Sequence, residues 1–225
     1  MEADVELERR SRTPLSRERI IGAALEMADT GGLESLTMRG IGHALGVEAM
    51  SLYNHVKDKD DILSGIVDIV FSEIEITPVS EGWKVAMRKS AISAHDTLLR
   101  HPWSCQLVLS PNPPQIFPGR MAYMESILAR LRQAGFSPAE ASRGYHAIDS
   151  HVLGFTLWEL GHSMPEDAPP DFLETFLKEF DFSSYPYLAE HAREHLRESD
   201  AAEIGEFEFG LTLILDGLDR WMGAA

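Results

Sequence analysis

Apolar residues recur along this chain at intervals of three and four, and no alternation of apolar and polar residues lasts long enough to make a series of strands. That periodicity predicts an all-α fold. In "RERIIGAALEMADT" a capping Ser16 precedes Ile20, Ile21, Ala24, Leu25 and Ala28 on one face of a helix, which Gly31 and Gly32 should end. Thr37 then caps a shorter helix with Ile41, Ala44 and Leu45 inward, and Gly46 follows where a tight turn needs positive φ. The stretch "GVEAMSLYNHVKDKDDIL" anchors a third short helix through Val47, Leu52 and Val56, leaving Ser51, Tyr53, Asn54 and His55 outside. Helix, glycine turn, helix is the pattern of a helix-turn-helix, whose second helix needs a polar face to enter a major groove.

The net charge of −16 argues on its face against a polyanion partner, but the charge is unevenly spread. Arg9 to Lys59 holds eight basic residues against six acidic ones, whereas Gly65 onward holds twelve against twenty-four. This asymmetry suits a head that approaches phosphates and an acidic body with another task. With 225 residues, 44% apolar and 25% charged, the chain is long enough for one large domain or a head on a larger body. No apolar run approaches a membrane span and no signal-peptide core opens the chain, so a cytoplasmic protein without a membrane partner is expected. The lone Cys105 reads as a buried structural thiol.

Met1 to Leu15 lacks apolar periodicity and is expected to be a mobile arm (residues 1–15), followed by a head over 16–62. A connecting helix from about Lys59 to Glu75 would carry Ile62, Ile66, Ile69, Val70 and Ile74 along one side and stop at Pro78. The body, 77–225, should start with a helix from Trp83 to Arg100, bearing Met87, Ala91 and Leu98 on one face and closed by His101-Pro102. After a turn around Trp103 to Leu109, "SPNPPQIFPG" reads as an ordered loop. Helices over Met121 to Ala134 and Pro138 to His162 and a Pro and acid linker, Pro165 to Asp171, come next. The last helix, roughly Ala201 to Met222, is apolar nearly all round. Phe207, Leu211, Ile214, Leu218 and Trp221 lie on one face, with Phe209, Leu213 and Leu215 on others. Burial on two sides needs a second surface, and a homodimer partner supplies it economically.

The stretch from Ser16 to Ile66, with its "LTMR", "ALGV", "LYNHV" and "KDK" elements in order, resembles the DNA-binding head of the tetracycline-repressor (TetR) family. "LARLRQAGFSPAEA", "LGFTL" and "FEFGLTLILDGLDR" resemble the body of its tetracycline-responsive branch. The resemblance implies a ligand-responsive repressor, dimeric on a pseudo-palindromic duplex operator. By motif position it implies that Arg39, Ala49, Met50 and Tyr53 face base edges, and that Thr37, Ser51, Asn54, His55 and Lys59 face phosphates. It also implies a four-helix dimer bundle that includes the Pro138 to His162 helix with Leu153, Gly154 and Leu157, beside Phe207, Leu211, Ile214 and Leu218.

The positions matching the branch's tetracycline pocket are Glu75, Ser90, Ala94, Val108, Asn112 and Ile127, without its histidines, asparagine and arginine. Neither tetracycline nor magnesium is therefore carried over, and no cofactor is expected. Met87, Trp103, Phe117, Met121, Met124, Ile127 and Phe155, with His95, His151 and Gln106 as polar anchors, suggest a mainly apolar small-molecule inducer. The competing reading is a helical-bundle metalloenzyme: Glu159-x-x-His162 has di-metal spacing, and His191 and His195 stand at i, i+4. No second Glu-x-x-His copy, phosphate loop or nucleophile elbow accompanies them, so no catalytic or metal residue is assigned.

Overall fold

The computed structural model describes residues 14–78, 80, 82–109, 117–162, 175, 181–198 and 205–223. Residues 1–13 of the expected arm, the loop 110–116 and the linker 165–171 lie outside them. The described residues form helices and no strand: α1 (Arg17–Ser35), α2 (Met38–Leu45), α3 (Ala49–Leu52), α4 (Lys59–Ser72), α5 (Trp83–Arg100), α6 (Trp103–Leu109), α7 (Pro118–Gln133), α8 (Pro138–His162), α9 (Pro186–Glu198) and α10 (Glu206–Gly223).

Local chemistry explains the head. Ser16 Oγ accepts from the Arg19 amide at 3.3 Å to start α1, which buries Ile20, Ile21, Ala24 and Ala28. Gly32, at φ 69°, ψ 176°, kinks its last turn, and Ser35 Oγ donates to the Gly32 carbonyl at 2.7 Å. Thr37 Oγ1 accepts from the Gly40 amide at 3.0 Å, and Gly46 closes α2 in the left-handed region at φ 69°. Val47 N–H then returns to the Gly42 carbonyl at 2.9 Å. Gly42 is the less obvious glycine: a Cβ there would lie 2.9 Å from the Val47 carbonyl oxygen and 3.2 Å from the Ala49 amide. Backbone touches backbone at this corner and holds α3 at its angle to α2. Gly42→Ala should therefore cost about 1–3 kcal/mol of stability by forcing the corner open, checked by chemical denaturation; an unchanged midpoint would show that the corner yields freely.

Asp58 Oδ1 caps α4 by accepting from the Asp61 amide at 2.9 Å. Asp61 in turn accepts from Arg17 Nη2 at 2.8 Å and from the Lys57 amide at 3.0 Å, tying α4 to α1 and to the loop after α3. The Arg17 hydrogen bond, ahead of the Lys57 amide, holds the Asp61 carboxyl below the ordinary range. Ile62, Ile66, Val67, Val70 and Phe71 are buried, and one apolar cluster runs from Ile20 in the head to Leu218 in α10. The connecting helix is shorter than its pattern suggests, ending at Ser72. Ile74 keeps the helical spacing of buried positions, but the helix has already ended: the amides of Glu75 and Thr77 donate to Ser93 Oγ (2.8 Å) and Ser90 Oγ (3.2 Å) of α5.

In the body α4 packs on α7, α5 on α8 and α10, and α7 on α8. The expected Trp103 to Leu109 turn is a helix, too short for periodicity to reveal. It packs on α1 and α8. Pro118 starts α7 at a position where its missing N–H costs nothing, three residues earlier than the periodicity places it. There the Gly119 amide donates to Asp68 Oδ1 of α4 at 2.8 Å, a carboxylate at a helix N-terminus clasping the two helices together.

Of the residues expected at the dimer seam, Phe207, Leu211 and Leu218 of α10, and Leu153 of α8, are buried against the chain's own helices. Ile214 and Leu157 are half-buried, and Gly154 is exposed. The apolar residues left outside are Phe209 (61% exposed), Leu213 (56%) and Trp221 (38%). Periodicity finds two apolar faces on such a helix without saying which one its own neighbours α5 and α8 will cover.

Candidate nucleic-acid interface and ligand site

The start of α2 and the outward side of α3 lie on the surface of the head. Thr37, Arg39, Met50, Tyr53, Asn54, His55 and Lys59 are exposed there, while Ala49 and Ser51 are half-buried. Leu52 at the same helix's inner side is fully buried and pins it to the core. α3 is only four residues long; Asn54 N–H to the Ser51 carbonyl (3.4 Å) and His55 N–H to the Leu52 carbonyl (2.9 Å) continue it as tight turns. These turns present Asn54 and His55 beyond the helix end, and Asp61 secures the following loop at Lys57.

Head and body also meet away from α4. Asp29 Oδ1, in α1, accepts from Trp103 Nε1 and pairs with His101 Nδ1, both at 2.7 Å. His101 Nε2 lies 3.4 Å from Glu73 Oε2, to which Arg100 Nη2 also donates at 3.0 Å. The α5–α6 corner is thus latched to the end of α1 and to the end of α4. Trp103 and Gln106 line a cavity of about 540 Å³ beside this latch, together with Gly32, Leu33 and Leu157.

A second cavity, about 530 Å³, lies between α5, α8 and the start of α10, where His95, Phe155, Trp158, Glu159 and Phe207 contribute. The Phe207 ring stacks on His95 at 3.9 Å and on His151 at 4.9 Å. Thr156 Oγ1 donates to the Val152 carbonyl at 2.6 Å, so it accepts from His95 Nδ1 at 2.8 Å. His95 Nε2 then faces Glu159 Oε2 at 3.2 Å, and the pair needs one proton between them. Burial pushes the His95 imidazolium toward losing that proton, and the Glu159 charge opposes the loss. Glu159 is thereby engaged, and His162 Nδ1 turns to the Trp158 carbonyl at 2.7 Å. His191 is exposed. Among the described residues no group of three or more His, Cys, Asp or Glu is placed to hold a metal ion.

The remaining expected ligand residues differ in exposure. Met87, Ser90, Ala94, Phe117 and Ile127 are buried in the core, and Met124 and His151 are half-buried. Met121 is 55% exposed, because α7 turns its Tyr123 side inward instead. Of the matched pocket positions, Glu75 is exposed, Val108 half-buried and Asn112 outside the described residues.

Sequence reasoning passed over a polar group inside the body. Tyr123, Ile127 and Arg130 are buried along one face of α7, with Arg120 in line at spacings of three, four and three. Arg120 Nη2 donates to Asp149 Oδ2 of α8 at 3.2 Å, and Tyr145 OH donates to the same oxygen at 3.0 Å. Arg130 Nη1 donates to Ser90 Oγ of α5 at 3.1 Å. Burial pushes the Tyr123 phenol up and makes the Arg130 guanidinium easier to deprotonate. The spacing was available to find them, but a helix begun at Met121 leaves Arg120 in a loop and makes Arg130 look like surface.

Residues 20–66 match the family described as bacterial regulatory proteins, tetR family, and residues 77–222 the tetracyclin repressor-like C-terminal domain. An HTH-type transcriptional regulator of Saccharopolyspora erythraea is 34% identical over 151 residues, 65% of this chain and 63% of that one, just under two thirds of the relative's length. The HTH-type transcriptional repressor DrrR1 of Streptomyces coeruleorubidus is 30% identical over 218 residues, covering 91% of this chain and 77% of the relative. The crystal structure of ActR from Streptomyces coelicolor in complex with actinorhodin superposes with a TM-score of 0.76 at 29% identity, covering 95% of this chain and all (100%) of that one. The chain belongs to the TetR family of bacterial regulatory proteins. It is an all-α, ligand-responsive transcriptional regulator with a helix-turn-helix head. No helix among the described residues is long and apolar enough to cross a membrane.

Proposed function

We propose that this chain is a repressor that binds a pseudo-palindromic operator as a homodimer and releases it when a small molecule enters the body. The observation that carries the reading is the outer face of α2 and α3, where an exposed arginine, tyrosine, asparagine and histidine stand on a corner stiffened by backbone contact at Gly42. Residues 16–62 serve as the DNA-binding head and 77–225 as the ligand-binding and dimerisation body. Arg39 suits a bidentate contact to guanine O6 and N7, and Met50 a thymine methyl; Ala49 is too short to hydrogen-bond a base. Thr37, Ser51, Asn54, His55 and Lys59 contact phosphates. A cation in the first turn of a helix opposes the dipole, so Lys59 gains little from α4 itself and is free to serve a phosphate. Phe209, Leu213 and Trp221 of α10, beside Gly154 and Trp158 of α8, form the face that meets the second copy.

A two-fold dimer demands half-sites whose centres lie about 34 Å apart or a multiple of that. Arg39→Ala should weaken the cognate site by about 1–3 kcal/mol and relax base preference. Lys59→Ala should weaken every duplex alike and lower the salt slope by about one. Duplex titrations across salt, on cognate and scrambled sequences, measure both; identical profiles for the two variants would remove the assignment.

A further inference from the structure

We infer that the inward face of α7 receives an anionic oxygen of the effector, so that the ligand is an organic acid, a carboxylate or ionised phenol on an apolar frame. This rests on the ligand-responsive reading above and deepens it. Arg120, Tyr123 and Arg130 occupy positions on α7 that packing alone would fill with leucine, and Ile127 between them is 1% exposed. Tyr123 is 4% exposed, yet its hydroxyl has no hydrogen-bond partner among the described residues; neither does Arg120 Nη1. Arg130 is 5% exposed and its described hydrogen-bond partner is a neutral serine hydroxyl. Asp149 answers the charge of Arg120, and no carboxylate among the described residues answers that of Arg130.

A desolvated guanidinium without a counter-charge is costly, and unmade hydrogen bonds beside it add to the cost. A ligand anion removes both costs at once, since it supplies the missing charge and accepts from the idle donors. A neutral carbonyl would leave the charge uncompensated. The cluster's apolar side is closed, with Phe71 of α4 5.8 Å from the Tyr123 ring and the Arg120 guanidinium 5.8 Å over it, so the ligand's frame enters by parting α4 from α7. Arg120 follows Gly119, whose amide is clasped by Asp68 of α4. An acid drawn onto this face therefore pulls at the helix that runs to the head.

The probes are naphthalene- and anthracene-2-carboxylic acids, each against its neutral amide, titrated into the full-length protein by calorimetry. Wild type should prefer acid over amide by at least about tenfold, as expected of charge-assisted hydrogen bonds. Arg130→Met should erase most of that preference while amide binding persists, and Arg130→Lys should restore part of it. Should Arg130→Met fail to fold, Tyr123→Phe decides. Removing an unpartnered hydroxyl should leave the apo Tm equal or higher, yet reduce the acid preference about three- to tenfold. Equal affinity for acid and amide, binding of neither at millimolar concentration, or a preference indifferent to Tyr123→Phe and Arg130→Met overturns the assignment and leaves water filling the cluster. Duplex binding by the same preparations is scored separately, so the regulator reading can stand while this one falls.

Discussion

Leu213→Asp should yield a folded protein that runs as a monomer, whereas Leu211→Asp, two residues earlier on the same helix, should not fold. Leu211 is fully buried against the chain's own core (0% exposed), and an unpaired carboxylate there costs several kcal/mol. That is a large part of the 5–15 kcal/mol that holds a typical domain together. Leu213 is 56% exposed, so the isolated chain tolerates the charge. In a two-fold dimer the same substitution sets a carboxylate near its own copy across an apolar contact, and dimer affinity should fall at least about a hundredfold, some 2.7 kcal/mol. Light scattering gives the mass, and circular dichroism the fold. A Leu213→Asp protein that remains dimeric at micromolar concentration would return the interface to another face.

Asp29→Ala should loosen the head from the body without touching either the reading face or the core of α4. It strands the Trp103 indole N–H and one edge of His101, both buried, and each stranded group costs about 1–3 kcal/mol. Amide exchange should accelerate in the last turns of α1 and throughout α6, while α10 is unaffected. Operator release by an effector should also become shallower, because the body would then bias the head through α4 alone. Unchanged exchange in α1 and α6 would show the latch to be ornamental.

Sequence reading succeeded where punctuation was strong. α5 and α8 fall on Trp83–Arg100 and Pro138–His162, as the flanking His101-Pro102 and Pro138 indicate. It failed where a feature belongs to a partner element rather than to the helix itself. Ile74 is buried at helical spacing although the helix has ended before it, and Ser93 and Ser90 of α5 take the amides of Glu75 and Thr77 just beyond. Phe207 and Leu211 look the same as Phe209 and Leu213 until α5 and α8 choose a side. Arg120 and Arg130 carry a residue type that usually marks surface, and only Ser90 and Asp149, 40 and 29 residues away in sequence, show otherwise. The latch is of the same kind, since Asp29 and Trp103 are 74 residues apart.

The shortness of α3 sets a limit on how this protein can search a chromosome. If α3 and Arg39 read bases as proposed above, a helix of four residues aided by one arginine would span only a few base pairs. A word of about four base pairs recurs by chance roughly every few hundred, against the ~10⁶ or more competing positions in a genome. One head alone is therefore nearly blind to address. Two heads held at fixed spacing multiply their words, and rarity comes from the distance between them as much as from the letters each reads. Whatever alters that distance erases the address without disturbing a single base contact.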